Sequence, residues 1–475
     1  MRTTIRGSRS DSCRLPHATT RRRFLAGTLA AATAPYVVPA AVLGADGTVA
    51  ASDRISVGVI GTGGRGTADM AGMMQSPLCQ VVALCDCRLP RLEAAQKQVQ
   101  EFYADKGGRG SAGGCKAYRD FRELIDRKDI DAIIVGVPDH WHGVIATRAL
   151  VAGKDLYCEK PLGRSVAESI AIRDAVVKHK RIFQTGTQQR SDANFRQACA
   201  LARGGHLGKI HTIEVAVPAG GDILKQPVAP IPEGFDYDLW SGPAPLRPFD
   251  NRRCEWLGMY WISDYCVGFI CNWGIHHLDI AAWGCPEVVQ SPFEIEGSAF
   301  LPTQGMCDTA VTWRTEFRYP SGLRMSFTSD RGPFDWQKGQ GLTEESLRAL
   351  DAVDPKLHHA TGCRFIGSEG WVHVTRGAIA AEPASLLEKE VDPAKAGIVV
   401  SHDHSLNFLE SIGSGRDPVS PVDSGHRATI LGNVADIAVR LGRKLKWDPT
   451  SERFVGDDEA NRRLALPLRR PWTLG

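Results

Sequence analysis

The segment Cys271–Asp279, CNWGIHHLD, carries side chains that can move a proton or bind a metal ion. A histidine with an ordinary pKa of about 6.5 can accept a proton at neutral pH, which makes His276 a candidate base. On a helix, Asn272 and His276 would share one face, and Asp279 would lie close to it. His277 would point about 100° away. Adjacent histidines diverge, unlike the i, i+4 pair of helical zinc sites, so we expect no metal site here.

A reactive lysine follows an apolar run in YCEKPLG, residues 157–163. Ligands bind beyond the carboxyl ends of strands in open α/β sheets, where Lys160 could donate to a substrate oxygen or polarise it. A surface lysine paired with the neighbouring Glu159 is the plain alternative.

Three glycines, Gly61, Gly63 and Gly66, form G-x-G-x-x-G in VIGTGGRG, between a strand-like run and a helical stretch. This setting is typical of a dinucleotide-binding turn, in which the glycines allow the turn, the approach of a pyrophosphate and helix–strand packing. The helix N-terminus, with Gly64 and Arg65 in its first turn, offers N–H groups to the phosphates.

Asp86 lies twenty residues beyond Gly66, at the end of the second strand-like run. A carboxylate there can accept hydrogen bonds from ribose hydroxyls and would repel a 2′-phosphate, so we expect NAD as the cofactor. An aspartate that caps the next turn is the structural alternative. Arg65 and Arg88 are close enough in sequence to keep NADP open.

The elements that must position these residues alternate between strand-like runs and helical stretches over residues 53–190. This pattern predicts a parallel, doubly wound sheet built from ISVGVI, CQVVALC, DAIIVGV, DLYCEKP and RIFQTG. Over residues 191–475 the runs pair across turn signals, as in AVTWRTEFRYPSGLRMSFTS. We therefore expect an α/β protein in which a Rossmann dinucleotide-binding domain precedes an α/β domain with a large, mainly antiparallel open sheet.

The chain begins with a basic segment that differs from the rest. Of 57 basic and 54 acidic residues, seven arginines and one aspartate lie in residues 1–45, which leaves 50 basic and 53 acidic residues and no reason to expect a nucleic-acid partner. Twin arginines before an apolar stretch in TTRRRFLAGTLAAATAPYVVPA indicate a Tat export signal over 1–45, and hence a periplasmic or extracytoplasmic protein that uses the Tat machinery. An uncleaved membrane anchor is the alternative.

Together, PDHWH at residues 138–142, EKP at residues 159–161, the glycine-rich turn and a later helix with an internal histidine resemble the glucose-fructose oxidoreductase / inositol dehydrogenase / rhizopine-catabolism (Gfo/Idh/MocA) family. The resemblance covers the chain after the signal, and its C-terminal part is similar to exported members. It implies hydride exchange between NAD(P) and a hydroxyl carbon of a sugar, cyclitol or related polyol. It also implies a homo-oligomer formed through the second sheet.

The resemblance further implies roles for particular residues. Lys160 matches the catalytic lysine and, with Glu159, lies beside the cofactor. The segment that lines the cofactor near the nicotinamide corresponds to Pro138, Asp139 and His142. Candidate substrate contacts are Gln188 and Arg190, to which Asp279 is added for its place near the face of His276.

Asn272 and His276 fall on an Asp-x-x-x-His pattern that the family carries on a helix facing the nicotinamide. Oxidising an alcohol removes the hydroxyl proton as hydride leaves the carbon, so we assign His276 as the base and Lys160 as its partner. Asn272 replaces the usual aspartate and can hydrogen-bond but cannot carry charge or relay a proton. This departure weakens the expectation of ordinary dehydrogenase rates.

Two other functions stay open. One is glycoside cleavage in which a ring carbon is oxidised transiently and NAD is regenerated, and the other is non-catalytic binding of a sugar or dinucleotide. A carbohydrate ligand suits all three functions because Trp240, Trp256 and Trp261 could stack on sugar faces, with core packing as the equal alternative for each.

Overall fold

A computed structural model describes residues 49–50, 53–105, 114–330, 343–354, 356 and 359–475. The predicted export signal over 1–45 lies outside the described residues. Residues Arg54–Gly475 form one compact unit with two sheets.

The first sheet has six parallel strands in the order β3-β2-β1-β4-β5-β6, which is the order of a Rossmann fold. Its central strands are continuous apolar runs buried on both faces, as a parallel sheet covered by helices requires. The strands are β1 Ile55–Ile60, β2 Cys79–Cys85, β3 Lys116–Tyr118, β4 Ala132–Val135, β5 Asp155–Cys158 and β6 Phe183–Thr185. The short, largely exposed β3 is the strand that hydrophobic patterning did not predict.

Helices connect these strands, and polar caps fix where several of them begin. Asp120, Ser165 and Asp192 each accept a hydrogen bond from an N–H group of the first turn that follows. The helices are α1 Gly64–Met74, α2 Leu89–Asp105, α3 Phe121–Ile125, α4 His142–Val151, α5 Val166–His179 and α6 Ala193–Arg203, with 3₁₀ turns at Asp139–Trp141 and Gln188–Ser191.

The second sheet has nine strands in the order β13-β12-β11-β7-β10-β9-β8-β14-β15. β7 and β10 pair in parallel and the other pairs are antiparallel, which confirms the predicted mainly antiparallel sheet. The strands are β7 Ile210–Val217, β8 Phe293–Phe300, β9 Thr312–Arg318, β10 Arg324–Ser329, β11 Gly362–Gly367, β12 Gly370–Thr375, β13 Ala378–Glu382, β14 Leu445–Asp448 and β15 Arg453–Phe454.

Two buried helices, α9 (Gly274–Gly284) and α13 (Val422–Leu441), pack on this sheet. α9 begins at Gly274, two residues after Asn272, so the helical spacing predicted between Asn272 and His276 does not hold. The helices of this half are α7 Tyr237–Ser241, α8 Trp256–Met259, α9 Gly274–Gly284, α10 Glu287–Gln290, α11 Glu344–Asp351, α12 His404–Ser414, α13 Val422–Leu441 and α14 Asp458–Arg462, with a 3₁₀ turn at Ala384–Glu388.

The C-terminal part also completes the core of the first sheet. Phe408 and Leu409 of α12 are fully buried in the cluster that contains Val57 and Val59 of β1. Trp472 and Leu474 pack against the cluster on the other side, which contains Ile133 of β4. Within the described ranges, no helix has both the length and the apolar character needed to cross a membrane. The boundary at residue 190 stays a prediction.

Candidate active site

A cavity of about 490 Å³ opens at the carboxyl edge of the first sheet. Residues from the second half of the chain, among them Trp240, Trp256 and Asn272, also line it. The predicted site residues that line it are Gly61, Gly63, Gly64, Arg65, Asp86, Pro138, Asp139, His142, Glu159, Lys160 and Asn272. Gly66, Gln188, Arg190, His276 and Asp279 are not among the lining residues.

The glycine turn has the geometry that a dinucleotide needs. Gly61 has φ +90°, and a Cβ atom on Gly66 would lie 1.9 Å from the carbonyl oxygen of Gly61, so neither position accepts a side chain. A Cβ on Gly64 would meet nothing within 4 Å, and one on Gly63 would meet only the end of the Arg91 side chain. The turn therefore leaves open space at the N-terminus of α1, where phosphates bind.

Asp86 is held at the edge of the cavity by short local hydrogen bonds. Its Oδ2 accepts from the backbone N and Oγ1 of Thr62, at 2.9 and 3.1 Å, and its Oδ1 accepts from the backbone N of Arg88 at 2.8 Å. The carboxylate thus caps a turn and also lines the cavity, and its role toward a ribose stays a prediction.

The two arginines considered for a 2′-phosphate have other partners. The Arg88 guanidinium donates to the carbonyl of Cys254 at 3.1 Å and lies 4.1 Å from the centre of the Phe235 ring. Arg65 pairs with Asp69 and Glu159. Arg91 and Arg119, which the sequence did not single out, also line the cavity.

Lys160, Asn272 and Asp139 form a continuous hydrogen-bonded chain along one wall of the cavity. Lys160 Nζ donates to the backbone oxygen of Asn272 at 3.0 Å and to its Oδ1 at 3.1 Å. The Nδ2 of Asn272 donates to both carboxylate oxygens of the buried Asp139, at 3.0 and 2.9 Å. We call this chain the amide bridge.

His142 fixes the loop that carries Lys160. Its Nδ1 lies 2.6 Å from the carbonyl oxygen of Pro161, and its Nε2 lies 2.9 Å from that of Val137. The imidazole is buried and joins the loops after β4 and β5, so it holds the backbone on either side of the cavity. The residue predicted to touch cofactor also orients the neighbour of the reactive lysine.

Two carboxyl groups share one guanidinium behind the glycine turn. Arg65 Nε lies 3.0 Å from Asp69 Oδ1 and 3.3 Å from Glu159 Oε1. Gln188 Nε2 donates to Glu159 at 2.7 Å and to the Tyr157 hydroxyl at 2.8 Å. Burial, and then the Glu159 charge, raise the pKa of Asp69 to about 8.

His276 lies behind the cavity wall, with its ring against Trp273. Its Nδ1 is buried and has no hydrogen-bond partner. Burial, followed by the charges of Lys160 and Arg376, lowers the pKa of His276 well below its ordinary value, so the ring is neutral at neutral pH. His277 packs near Phe195, and burial lowers its pKa to about 3.

Arg190 and Asp279 bind each other. The guanidinium donates from Nε to Oδ2 and from Nη2 to Oδ1, both at 2.7 Å, and the pair is buried. Arg190 also lies over the ring of Trp283 at 5.1 Å. The structure therefore brings these two candidate substrate contacts together as a link between the turn after β6 and α9, away from the cavity lining.

The three tryptophans differ in their surroundings. Trp261 and Trp240 are buried, with 0% and 5% exposure, whereas Trp256 is 58% exposed at the cavity wall. Tyr260, next to Trp256, also lines the cavity, and burial followed by the Asp139 charge raises its pKa above the usual range. No signal in the sequence distinguished Trp256 and Tyr260 from the buried aromatic residues. Across the parts of the chain that the structure describes, no group of three or more His, Cys, Asp or Glu side chains is arranged to hold a metal ion.

A Rossmann sheet, a dinucleotide turn and a lysine at the shared cavity define an NAD-binding oxidoreductase. Residues 55–187 match the family model "Oxidoreductase family, NAD-binding Rossmann fold", and residues 219–336 and 398–474 match "Oxidoreductase family, C-terminal alpha/beta domain". Together these two models cover more than half of the chain. The chain belongs to the Gfo/Idh/MocA family.

Individual relatives agree with this placement. The myo-inositol 2-dehydrogenase of Thermotoga maritima is 23% identical over 404 residues, which span 82% of this chain and 98% of that protein. "Glycosyl hydrolase family 109 protein 2" of a Shewanella species is 32% identical over 139 residues, but these cover only 29% of each chain. The solved structure of a levoglucosan dehydrogenase in complex with NADH has a TM-score of 0.56 at 16% identity and covers 83% of this chain and 99% of its own. The last similarity shows the fold.

Proposed function

We propose that this protein transfers hydride between NAD and a hydroxyl carbon of a sugar, cyclitol or related polyol. The observation that carries the proposal is the position of Lys160, whose Nζ meets Asn272 in the wall of the cavity that the glycine turn opens. The backbone of Gly63 and Gly64 would hold the pyrophosphate and Asp86 the ribose. Bound NAD would supply the hydride acceptor.

The polar side chains of the wall would handle the hydroxyl proton. A charged lysine has three N–H donors, and Asn272 accepts two of them, so one remains for a substrate oxygen as it becomes an alkoxide. His276 is neutral and its buried Nδ1 has no partner, but the burial and the Lys160 charge that lower its pKa make it a weak base. Because His276 is not among the cavity-lining residues, it could take the hydroxyl proton only through a water molecule or after a movement of the wall.

The direct test is a panel of cyclitols, aldoses and polyols with NAD, followed by NADH absorbance. Lys160→Met should lower kcat at least a hundredfold on any active substrate while the Kd for NAD, read from fluorescence quenching, changes less than threefold. Lys444→Met removes an exposed lysine that pairs with Glu294 far from the cavity and should behave as wild type. Undiminished turnover by Lys160→Met would refute the assignment.

A redox-neutral glycoside cleavage is the second candidate. Its support is the 32% identity to the glycosyl hydrolase family 109 protein over 139 residues, which are 29% of each chain. Cleavage of a nitrophenyl glycoside without net NADH release would favour it over the dehydrogenase. NAD binding without hydride transfer on the whole panel would favour a non-catalytic binder.

We also propose that the protein is exported and self-associates. Twin arginines ahead of an apolar stretch support export, and the large, mainly antiparallel nine-stranded sheet supports a homo-oligomer. Fractionation of cells that express wild type or Arg21→Lys/Arg22→Lys tests export. Native mass spectrometry of the purified protein tests assembly.

A further inference from the structure

The Asn272 side chain has one donor end and one acceptor end, and its neighbours decide which way it points. Lys160 can only donate, so it requires the amide oxygen, and the Asp139 carboxylate can only accept, so it requires the amide nitrogen. If the amide were rotated by 180°, its NH₂ group would face the Lys160 ammonium and its oxygen would face the Asp139 carboxylate. The orientation is therefore fixed by chemistry.

We propose that Asp139 is a positioning residue for Lys160, and that it acts through Asn272. Its carboxylate pins the amide, and the pinned Oδ1 and backbone oxygen of Asn272 aim the lysine at the cavity. Asp139 also contributes the negative charge of the amide bridge, so an aspartate at position 272 would duplicate a charge already present. Asn272 is thus the partner that Asp139 requires. The role toward hydride transfer rests on the proposed function, whereas the amide bridge stands without it.

The consequence is a defined coupling between positions 139 and 272. In N272D two buried carboxyl groups would face each other at about 3 Å with the single Lys160 ammonium beside them, so their repulsion favours protonation of one of them. The folded variant would have to hold a proton that the unfolded chain releases above about pH 4. Its stability should therefore fall as pH rises from 5 to 8. D139N/N272D restores one carboxylate and one amide in swapped places.

Other titratable groups surround the bridge and are common to all the variants. Besides Lys160, which belongs to the bridge, they are Cys158, Glu168, Tyr260, Cys266 and Cys271. Burial is the largest cause that raises the pKa of Cys158, Tyr260, Cys266 and Cys271, so these groups stay neutral between pH 5 and 8. A pH response that appears in N272D and disappears in the swap belongs to the pair.

The experiment compares wild type, D139N, N272D and D139N/N272D by thermal unfolding at pH 5 and pH 8. We expect N272D to lose at least about 5 °C in Tm at pH 8, and less at pH 5. We expect the swap to recover most of that loss. N407D is the matched control, because Asn407 is a half-buried asparagine far from Asp139. The Oδ1 of Asn407 accepts a hydrogen bond from the backbone N of Val419. D139N should not rescue N407D.

The bridge is overturned if the swap is no more stable than N272D, or if N272D responds to pH no more than N407D does. If N272D does not fold, recovery of soluble protein by the swap supports the bridge, and failure to recover overturns it. On an active substrate, kcat should fall at least tenfold in N272D and return to within threefold of wild type in the swap. A swap that folds but stays as slow as N272D overturns the positioning of Lys160. No NADH from any substrate with wild type is instead a failure of the proposed function.

Discussion

The guanidinium of Arg190 and the carboxylate of Asp279 meet in a buried, two-pronged ion pair, with both N···O distances at 2.7 Å. Arg190 belongs to the turn after β6 of the first sheet, and Asp279 to α9, which follows Asn272 and carries His276. The pair therefore joins the two parts of the chain that must stay in register for Lys160 to reach Asn272.

Breaking this ion pair should lower the free energy of unfolding markedly and affect the rate of hydride transfer less. Asp279→Asn leaves the buried guanidinium without its charge partner, and such losses cost about 3–5 kcal/mol in the free energy of unfolding. The apolar double variant R190M/D279L should cost less than D279N, since it removes both charges. Urea unfolding of the three proteins checks the order. A D279N variant of wild-type stability with a raised KM for the polyol would instead assign Asp279 to substrate.

Buried neutral histidines should make the protein sensitive to acid. The pKa of His277 is about 6.5 unfolded and about 3 folded, so the unfolded state binds its proton first. Stability from this group is complete above pH 6.5 and falls by roughly 1.4 kcal/mol per pH unit below it. H277Q should flatten the slope between pH 6.5 and 5 by that amount in urea unfolding. H402Q, at an exposed position, should keep the wild-type slope.

The segment of residues 219–256, which we call the covering segment, contacts the residues that follow β2, next to Asp86. Phe235 forms a backbone bridge with Arg88, and the backbone N of Asp236 donates to the carbonyl of Cys87 at 2.9 Å. Arg88→Ala removes the hydrogen bond to Cys254 and the stacking on Phe235, so NAD should dissociate at least tenfold faster. Stopped-flow displacement measures this rate. R443A, at a surface ion pair, is the control, and an unchanged rate in R88A would contradict the prediction.

Trp256 should contribute to sugar recognition, because its exposed ring lies at the cavity wall beside Tyr260. W256A should raise the KM for the active sugar or polyol about tenfold, and W256F should recover most of it. The Kd for NAD should stay within threefold of wild type. A weakened Kd for NAD with an unchanged KM would place the ring on the dinucleotide instead.

Local sequence signals predicted the frame well, because they have local physical causes. β1 spans Ile55–Ile60 and β2 spans Cys79–Cys85, which are the predicted runs ISVGVI and CQVVALC, since buried parallel strands are continuous apolar stretches. The glycine turn could also be predicted, because the positive φ at position 61 favours glycine and the glycine is visible in the sequence. The position of Lys160 near the carboxyl end of a strand was also predicted, because the lysine closely follows the apolar run that forms β5.

The hydrogen-bond and ion-pair partners of the site residues could not be predicted from the sequence, because the partners lie far apart along the chain. The sequence predicted that Asn272 removes a negative charge from the site. In the structure, the carboxylate of Asp139, 133 residues earlier, accepts a hydrogen bond from the Asn272 amide. Arg190 and Asp279 were predicted to contact substrate, whereas in the structure these two residues, 89 positions apart, form an ion pair with each other. The pair of Asp69 and Glu159 likewise depends on how α1 meets the end of β5. No spacing rule connects such positions.

The contribution of Phe408, Leu409, Trp472 and Leu474 to the core of the first sheet has a consequence for biosynthesis. A ribosome that has released only residues 53–190 has made every strand of that sheet, yet the emerging chain still lacks part of its hydrophobic interior. We therefore expect a nascent chain that ends at residue 190 to expose apolar surface of this sheet until the later residues are made.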